Sequence, residues 1–283
     1  MITIDKTINQ YLDYLKVEKN NSPATVKTYG FFLNKFSNYL KISYPNLTSL
    51  NDLTIDHVKT YRYTLKQKTA TQNLALIVLR VFFKFLRKNN LADINYEQIE
   101  LAKTEERPVR FLTTEQVNKL LNTPDSRTKK GKRDRAILEV LFDTGLRVSE
   151  LLSLTLPQIN FDRKEITVIG KGSKRRVVFI SDQAVKYLNK YLETYGVKDK
   201  IFPITSKTIQ NIVKIYCHRA MLSKVITPHG LRHSLATDLL SSGADLRSIQ
   251  EILGHKNIAT TQIYTHVTNE QLSQTYKKFH IRG

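Results

Sequence analysis

Three basic side chains crowd the first turn of one predicted helix. Thr227 and Pro228 are typical of a helix N-cap and first residue, and His229, Arg232 and His233 follow on one face. The free N–H groups and dipole of a helix N-terminus already attract anions, so clustered cations there call for a negative partner. Charge-assisted bonds from arginine to phosphate oxygens fit best. A solvated, cation-rich turn is the plainer alternative, but apolar residues anchor the opposite face.

A second arginine lies between two predicted apolar helices. Arg147 follows Gly145 and Leu146 in the segment LEVLFDTGLRVSELLSL. Core residues surround this position, so the charge of the arginine must be paired. An ion pair with Glu150, three residues later, would account for Arg147 as well as an external anion would.

A lysine occupies the turn of a predicted β-hairpin. Lys171 stands between two glycines in the segment IGKGSKRR, with Lys174, Arg175 and Arg176 just beyond. A flexible lysine on such a turn can reach into a site and give up a proton there. An ordinary exposed lysine is the commoner case, and the spacing does not match a Walker phosphate-binding loop.

The C-terminal part adds an imidazole and a phenol. His255 follows Leu253 and Gly254 at the end of a predicted helix, and Tyr264 comes later in TTQIYTHV. The chain holds 14 tyrosines, so any single one is usually a core or interface aromatic. The same default applies to His266.

Composition points to a polyanionic partner. The chain has 283 residues, 45 Lys and Arg against 25 Asp and Glu, and a formal charge of +20. Both halves are basic, which favours nucleic acid as the partner. The single cysteine, Cys217, excludes a disulfide framework and a multi-cysteine metal site. No stretch approaches about 18 uninterrupted apolar residues, and no signal sequence opens the chain, so we expect no membrane anchor and a cytoplasmic protein.

The first hundred residues predict a four-helix domain, residues 1–102. Apolar residues recur at helical spacing, Ser22 and Pro23 open the second helix, and Thr54 caps the third. The lone His57 is interpreted as a surface residue. Cations on the polar faces suit a surface that contacts a phosphate backbone, and the candidates on these helices are Lys27, Arg80 and Lys84.

A charged segment that contains Pro108 predicts a linker at 103–108, followed by a second domain at 109–283. In that domain a capping box at Thr113–Gln116 opens one helix. A second helix runs over about 133–143 and ends at Gly145, and another follows through 150–154. Strands at 165–169 and 176–180 form a hairpin, and four further helices begin near 181, 206, 227 and 245. Thr268 and Gln271 form a capping box for a last short helix. The fold class is therefore mainly α, with a small β-sheet in a mixed second domain.

Taken in order, the motifs TGLRVSEL, GKG, HGLRH, LGH and finally Tyr264 closely resemble the tyrosine recombinases, most nearly their Xer-type, chromosome-resolving members. The likeness spans nearly the whole chain, because the helical N-terminal half also resembles their SAM-like core-binding domain. The tail at 268–283 is similar to a family tail whose last helix docks on a neighbouring protomer, although it ends His-Ile-Arg where many relatives have His-Pro-Arg. The catalytic residues that the resemblance implies are Arg147, Lys171, His229, Arg232, His255 and the nucleophile Tyr264.

The chemistry that this resemblance implies is phosphoryl transfer to tyrosine. The phenol attacks a DNA phosphate and forms a 3′-phosphotyrosyl bond. One phosphoester replaces another, so neither ATP nor another cofactor is expected. Asp143 and Glu150 lack a third acidic neighbour in the sequence, so no metal site is expected either. The implied roles are phosphate binding for Arg147 and Arg232, a further hydrogen bond from His255, general acid for Lys171 and proton acceptor for His229.

The expected partner is a double-stranded DNA recombination site, bound by a homotetramer that the tail holds together. A paralogous recombinase or an accessory protein is the further partner that the resemblance implies. Lys174 and Arg175 join the candidate DNA contacts, and a nucleoid location follows. Alternatives are a mobile-element integrase, a type IB topoisomerase-like enzyme and a catalytically inactive DNA-binding protein. The lack of an arm-binding domain before residue 1 favours the Xer-like function. The expected substrates are then chromosome or plasmid dimers.

Overall fold

The computed structural model describes residues 4–47, 49–104, 110–170 and 175–254. The chain divides into two compact units, Met1–Arg107 and Pro108–Gly283. Most of the predicted linker at 103–108 and the whole tail at 268–283 lie outside the described residues.

The described part of the N-terminal unit contains four α-helices, and its caps follow the sequence signals. The Ser22 hydroxyl accepts a hydrogen bond from the Thr25 N–H (3.2 Å). The Nδ1 atom of His57 accepts one from the Thr54 N–H (3.0 Å), so this half-buried histidine closes a capping box rather than lying free on the surface. The helices are α1 (Ile4–Val17), α2 (Pro23–Ser43), α3 (Ile55–Thr64) and α4 (Thr69–Lys88).

Helix α4 supplies a large part of the core of this unit. Tyr11 of α1 packs against Phe82 and Phe85, with ring centroids 5.3 and 4.9 Å apart. By length and composition alone α4 could cross a membrane, since the mean hydropathy of its most apolar stretch is 1.3. A core helix passes the same test, and the buried residues of α4 are core residues: Ala75, Leu76, Val78, Leu79, Phe82, Phe83 and Leu86.

The C-terminal unit surrounds a small antiparallel sheet with helices. The strands β1 (Ile159–Asn160), β2 (Glu165–Ile169) and β3 (Arg175–Phe179) follow one another in spatial order, and Val168 pairs with Arg176. The helices are α5 (Thr114–Asn122), α6 (Lys129–Thr144), α7 (Val148–Ser153), α8 (Asp182–Tyr195), α9 (Ser206–Arg219), α10 (Pro228–Ser241) and α11 (Leu246–Leu253).

Helix α6 lies at the centre of this unit, packed against α8 and α10. Its buried charges are paired: Arg135 with Glu139 (2.6 Å), and Asp134 with Arg133 (2.7 Å). The Tyr216 hydroxyl of α9 donates to the same Asp134 carboxylate (3.0 Å). These pairs let a helix with many polar residues run through a core, as buried charges require.

The predicted fold class, mainly helical with a small sheet in the second unit, is confirmed. Some boundaries differ. Strand β3 begins and ends one residue earlier than predicted, because its pairing with β2 runs from Arg175 to Phe179. Helix α6 begins one turn earlier, since Thr128 caps a polar first turn that lacks apolar periodicity. The two-residue strand β1 was too short to produce a pattern.

Candidate functional site

The N-terminus of α10 places two of its three basic residues in the interior. Thr227 caps the helix by accepting a hydrogen bond from the Gly230 N–H (3.3 Å). Arg232 is only 1% exposed and His233 only 6%, whereas His229 is exposed. The alternative of a solvated, cation-rich turn is therefore wrong for Arg232 and His233.

The guanidinium of Arg232 donates to the ends of two helices. One hydrogen bond goes to the carbonyl of Gly145, at the end of α6, and another to the carbonyl of Leu253, at the end of α11. A helix C-terminus carries unsatisfied carbonyl groups and a partial negative charge, so it stabilises a nearby cation. Arg232 thus fixes the ends of α6 and α11 beside each other.

Gly145 makes this arrangement possible. It ends α6 in the left-handed region (φ 59°), where glycine has no steric penalty. A Cβ at this position would lie 2.6 Å from Leu253 Cδ2 and 2.9 Å from Leu235 Cδ2. The close approach of α6 to α10 and α11 therefore requires a glycine.

Arg147 is not enclosed by the core as the sequence predicted. Its side chain is 43% exposed, and it caps α7 from the surface. Its Nη1 atom donates to Glu150 Oε1 (2.9 Å), the ion pair that the sequence left open, and its Nη2 atom donates to the carbonyl of Gly254 (3.1 Å). An exposed guanidinium held on two sides can meet an external anion, so the ion pair and an anion-binding role are compatible.

A buried carboxylate joins Arg147 to a third arginine. Glu150 is 7% exposed and accepts two parallel hydrogen bonds from Arg176 of β3, each 2.9 Å long. Burial alone would raise the pKa of Glu150, but the bonds from Arg176 and from the backbone and side chain of Arg147 lower it to about 2. Glu150 is therefore ionised throughout the physiological pH range.

His229 lies on α10 beside the two arginines of the site. Its ring meets that of His233 edge to face, with centroids 4.3 Å apart. Desolvation of the ring, followed by the positive charges of Arg232 and Arg147, lowers the pKa of His229. A neutral imidazole at pH 7 is a proton acceptor, not a donor of positive charge.

Three of the six predicted catalytic residues are described, namely Arg147, His229 and Arg232, and the structure brings all three to one region. Lys171, His255 and Tyr264 lie outside the described residues, as does Lys174. In the sequence His255 directly follows Gly254, the residue whose carbonyl Arg147 binds.

The other predicted DNA contacts lie on helices α2 and α4 and on β3. Lys27, Lys84 and Arg175 are exposed, and Arg80 is half-buried. Arg80 and Lys84 line a shallow cavity of about 270 Å³ on α4. No carboxylate pairs with these four cations within the described ranges, whereas Lys59 of α3 is paired with Asp56 (2.9 Å). Nor do those ranges hold any cluster of three or more His, Cys, Asp or Glu side chains able to bind a metal ion.

Sequence reasoning missed the contribution of Arg176. A usable signal was present, because alternate residues of a strand share a face. Arg176 lies on the same face of β3 as the buried Val178, whereas Arg175 lies on the opposite face with the exposed Val177 and Phe179. An inward-facing arginine requires a buried carboxylate, and Glu150 was the candidate nearest to the site.

Comparison with known proteins finds matches for both units of the chain. Residues 110–271 match the phage integrase family, and residues 8–90 match its N-terminal SAM-like domain. The chain is 34% identical to tyrosine recombinase XerD of Halalkalibacterium halodurans over 100% of both chains. It is 36% identical to tyrosine recombinase XerC of Oceanobacillus iheyensis, covering 100% of this chain and 98% of the relative.

Among solved structures, the XerH site-specific recombinase bound to its difH substrate in a pre-cleavage complex is similar, with a TM-score of 0.73 and 25% identity. The match covers 94% of this chain and 84% of that one. The helical SAM-like unit and the mixed catalytic unit define a DNA strand-exchange enzyme of the integrase class. The chain belongs to the phage integrase family and is an Xer-like tyrosine recombinase.

Proposed function

We propose that this recombinase cleaves and rejoins double-stranded DNA at a specific site through a 3′-phosphotyrosyl intermediate on Tyr264. The observation that carries the proposal is the convergence of Arg147 and Arg232 on the end of α11, immediately before His255 in the sequence. Two guanidinium groups held side by side match the geometry of a phosphodiester.

The reaction balances without an external energy source. The Tyr264 oxygen attacks phosphorus and its proton passes to His229, which is neutral at pH 7. The bond from phosphorus to the 5′-oxygen breaks, and Lys171 protonates that oxygen. Arg147, Arg232 and His255 stabilise the additional negative charge of the transition state. Attack by a 5′-hydroxyl of another strand reverses these steps and releases the tyrosine.

The low solvent exposure of Arg232 strengthens its electrostatic effect. A charge in a site from which water is excluded interacts with a developing negative charge more strongly than in bulk water. Its donors are already oriented by the carbonyl groups of Gly145 and Leu253, so little reorganisation is needed. Arg147 is exposed and supplies the accessible side of the proposed phosphate site.

The proposed partner is a duplex recombination site contacted by both units. The XerH relative is bound to a DNA substrate in its solved structures, and the formal charge of +20 on this chain suits such a ligand. We infer contacts from Lys27, Arg80, Lys84, Lys174 and Arg175. Synapsis of two sites requires a tetramer, for which we assign the tail at 268–283 as the connecting segment.

The proposed biological role is resolution of chromosome or plasmid dimers in the cytoplasm, at the nucleoid. Identities of 34–36% with XerD and XerC favour this role. The Tn1549 transposon integrase shares the fold at 18% identity, which does not favour a mobile-element role. A second recombinase or an accessory protein is a further expected partner, as the resemblance implies.

The decisive experiment is capture of covalent complexes. The protein is mixed with a library of duplex DNA, quenched with SDS, and the DNA that stays attached to protein is sequenced. We expect one recurrent site, attached through the 3′-phosphate. Tyr264→Phe is the matched control, since it removes only the attacking oxygen, and it should bind the recovered site normally but form no adduct. An SDS-resistant adduct from Tyr264→Phe contradicts the assignment of the nucleophile.

The sequence context of the recovered site separates the two biological roles. A single site carried by the circular chromosome or plasmid itself supports dimer resolution, since a dimer then holds two copies of it, whereas sites at the ends of a mobile element support integration.

A further inference from the structure

Arg176 lies next to the proposed phosphate site but has no role in the proposed reaction. Its guanidinium forms a bidentate pair with Glu150, and its side chain is only 15% exposed. The same Glu150 carboxylate accepts the backbone N–H of Arg147 (2.8 Å) and its Nη1 atom (2.9 Å). One buried carboxylate therefore orients two guanidinium groups, one buried and one accessible.

Arg176 also contacts the end of α11. A Cβ placed on Gly254 would lie 3.0 Å from Arg176 Cδ and 3.1 Å from Arg176 Nε, so the arginine side chain occupies the space beside this glycine. The carbonyl of this glycine accepts the second hydrogen bond of Arg147. Arg176 thus binds one of the residues that hold Arg147, Glu150, and lies beside the other, Gly254.

The Nε atom of Arg176 is buried and has no hydrogen-bond partner within the described residues. An unsatisfied buried donor costs free energy, so packing and stability alone do not account for an arginine here. An apolar residue in place of Arg176 and a neutral one in place of Glu150 would avoid that cost.

The balance of charges around Glu150 explains why an arginine occupies position 176. Arg147 and Glu150 by themselves form a neutral pair, and a carboxylate within 2.9 Å of the guanidinium would repel an approaching phosphate. With Arg176 added, the three side chains carry one net positive charge. The two parallel bonds also keep both carboxylate oxygens in place, which a lysine could not do.

We propose that Arg176 is a positioning residue for strand cleavage, which offsets the charge of Glu150 so that the charge of Arg147 remains available to the scissile phosphate. The inference rests on the proposed function. It assigns Arg176 no contact with DNA, so its effect passes through Glu150 and Arg147.

Two substitutions separate charge from hydrogen bonding. Arg176→Gln keeps a hydrogen-bond donor for Glu150 but lacks the positive charge. Arg176→Lys keeps the charge but lacks the planar guanidinium that forms two parallel hydrogen bonds. We expect Arg176→Gln to lower the single-turnover rate of adduct formation, at saturating DNA, by about 100-fold, the loss typical of one electrostatic stabiliser. Arg176→Lys should lose about tenfold. Affinity for the DNA should stay within about threefold in both, because Arg176 does not touch it.

A neutral substrate distinguishes this role from a purely structural one. With a methylphosphonate at the scissile position, a methyl group replaces one charged oxygen, so the charge of Arg147 matters less. The rate ratio of wild type to Arg176→Gln should then fall from about 100 to within about tenfold. A misfolded or loosened site would slow both substrates equally, and that outcome overturns the proposal.

The double variant Glu150→Gln/Arg176→Gln removes both charges and leaves Arg147 cationic. It should react about tenfold faster than Arg176→Gln alone. The double variant contains no unpaired buried carboxylate, so it can be tested even if Arg176→Gln unfolds. A cleavage rate within tenfold of the wild-type rate supports the charge argument. A cleavage rate as low as that of an Arg147→Ala variant overturns it.

Arg163→Ala is the matched control for loss of an arginine from the sheet region. Arg163 is exposed in the turn between β1 and β2, at the other end of the hairpin from the 170–174 connection. The Arg163→Ala variant should cleave DNA at the wild-type rate. Failure of wild type to form an adduct on either substrate contradicts the proposed function itself, whereas a normal wild type with an unaffected Arg176→Gln contradicts only the role of Arg176.

Discussion

Arg147 and Arg232 donate hydrogen bonds to the carbonyl groups of two consecutive residues, Gly254 and Leu253, at the end of α11. They reach this point from different surroundings, since Arg147 is 43% exposed and Arg232 is buried at 1%. One helix end therefore sets the separation of both guanidinium groups and leads directly into His255. The two arginines should consequently respond differently to substitution.

Arg232→Ala should abolish cleavage and also destabilise the fold, whereas Arg147→Ala should mainly abolish cleavage. Without Arg232, two buried carbonyl groups lose their donor, which should lower the free energy of unfolding by about 3 kcal/mol or more. Without Arg147, Glu150 keeps its pair with Arg176, and we expect a loss of about 1 kcal/mol. Denaturant unfolding and adduct formation measure the two effects. Equal stability losses would mean that the carbonyl bonds of Arg232 contribute little.

Gly145→Ala should cost more than the same substitution at Gly196. Both glycines end helices in the left-handed region, with φ values of 59° and 60°. Nothing lies within 4 Å of a Cβ at Gly196, so the backbone penalty of about 1–2 kcal/mol is the whole cost there. At Gly145 the new Cβ collides with Leu253 and Leu235, which should add about 1–3 kcal/mol.

Thermal or denaturant unfolding of the two variants gives this comparison directly. Gly145→Ala should also slow cleavage, because the carbonyl of Gly145 orients Arg232. Gly196→Ala should cleave at the wild-type rate. Equal unfolding free energies for the two variants would show that the leucine side chains move aside without cost.

Much of the fold was predictable because its signals are local. The Ser22, Thr54 and Thr113 caps and the glycine stops at Gly145 and Gly254 all depend on neighbouring residues, and the structure contains each of them. The environments of the arginines were not predictable in the same way. Whether an arginine lies inside depends on how distant helix ends pack.

The sequence therefore placed Arg147 among core residues, although its side chain is 43% exposed. It left the burial of Arg232 undecided, and the structure buries that side chain. The bidentate pair between Glu150 and Arg176 joins residues 26 positions apart in different elements. Strand alternation could indicate that Arg176 faces inward, but only the packing of β3 against α7 selects its partner.

Glu150 should make stability depend on acid pH. Burial opposes ionisation, but Arg176 and Arg147 lower the pKa of this carboxyl from 4.5 to about 2. A lowered pKa stabilises the fold above the pKa of the unfolded state, and the contribution is lost as pH falls from about 4.5 towards about 2. Its size is about 3 kcal/mol.

The free energy of unfolding of wild type minus that of Glu150→Gln isolates this contribution, since other carboxyl groups affect both proteins. The difference should be constant between pH 7 and 5 and then fall as pH decreases through that window. A difference that does not change with pH would show that Glu150 is not held ionised by its two arginines.

Cations without a carboxylate partner should account for DNA binding and its salt dependence. Lys27→Ala and Lys84→Ala should each make the slope of log K against log salt shallower by about 0.9, as expected for one phosphate contact. Lys59→Ala is the control, because Asp56 already pairs with that lysine on the same unit. The recovered site and a shuffled duplex should be affected alike, since phosphate contacts carry no sequence information. A slope that is flat for wild type would contradict phosphate binding by either unit.

Strand cleavage should lose rate in acid at a pH set by His229. Desolvation of the ring, then the charges of Arg232 and Arg147, lower the pKa of this histidine below its ordinary 6.5. The neutral ring accepts the tyrosine proton, so the rate should be level at pH 7 and fall only when the pH drops below 6.5 and the ring becomes protonated. Arg147→Gln removes one positive charge, which should raise the pKa of His229 and move its ring-proton NMR titration to higher pH. The His229→Gln variant should cleave slowly at every pH, and its cleavage rate should not decrease further in acid. If its rate decreased in acid as the wild-type rate does, another group would be the proton acceptor.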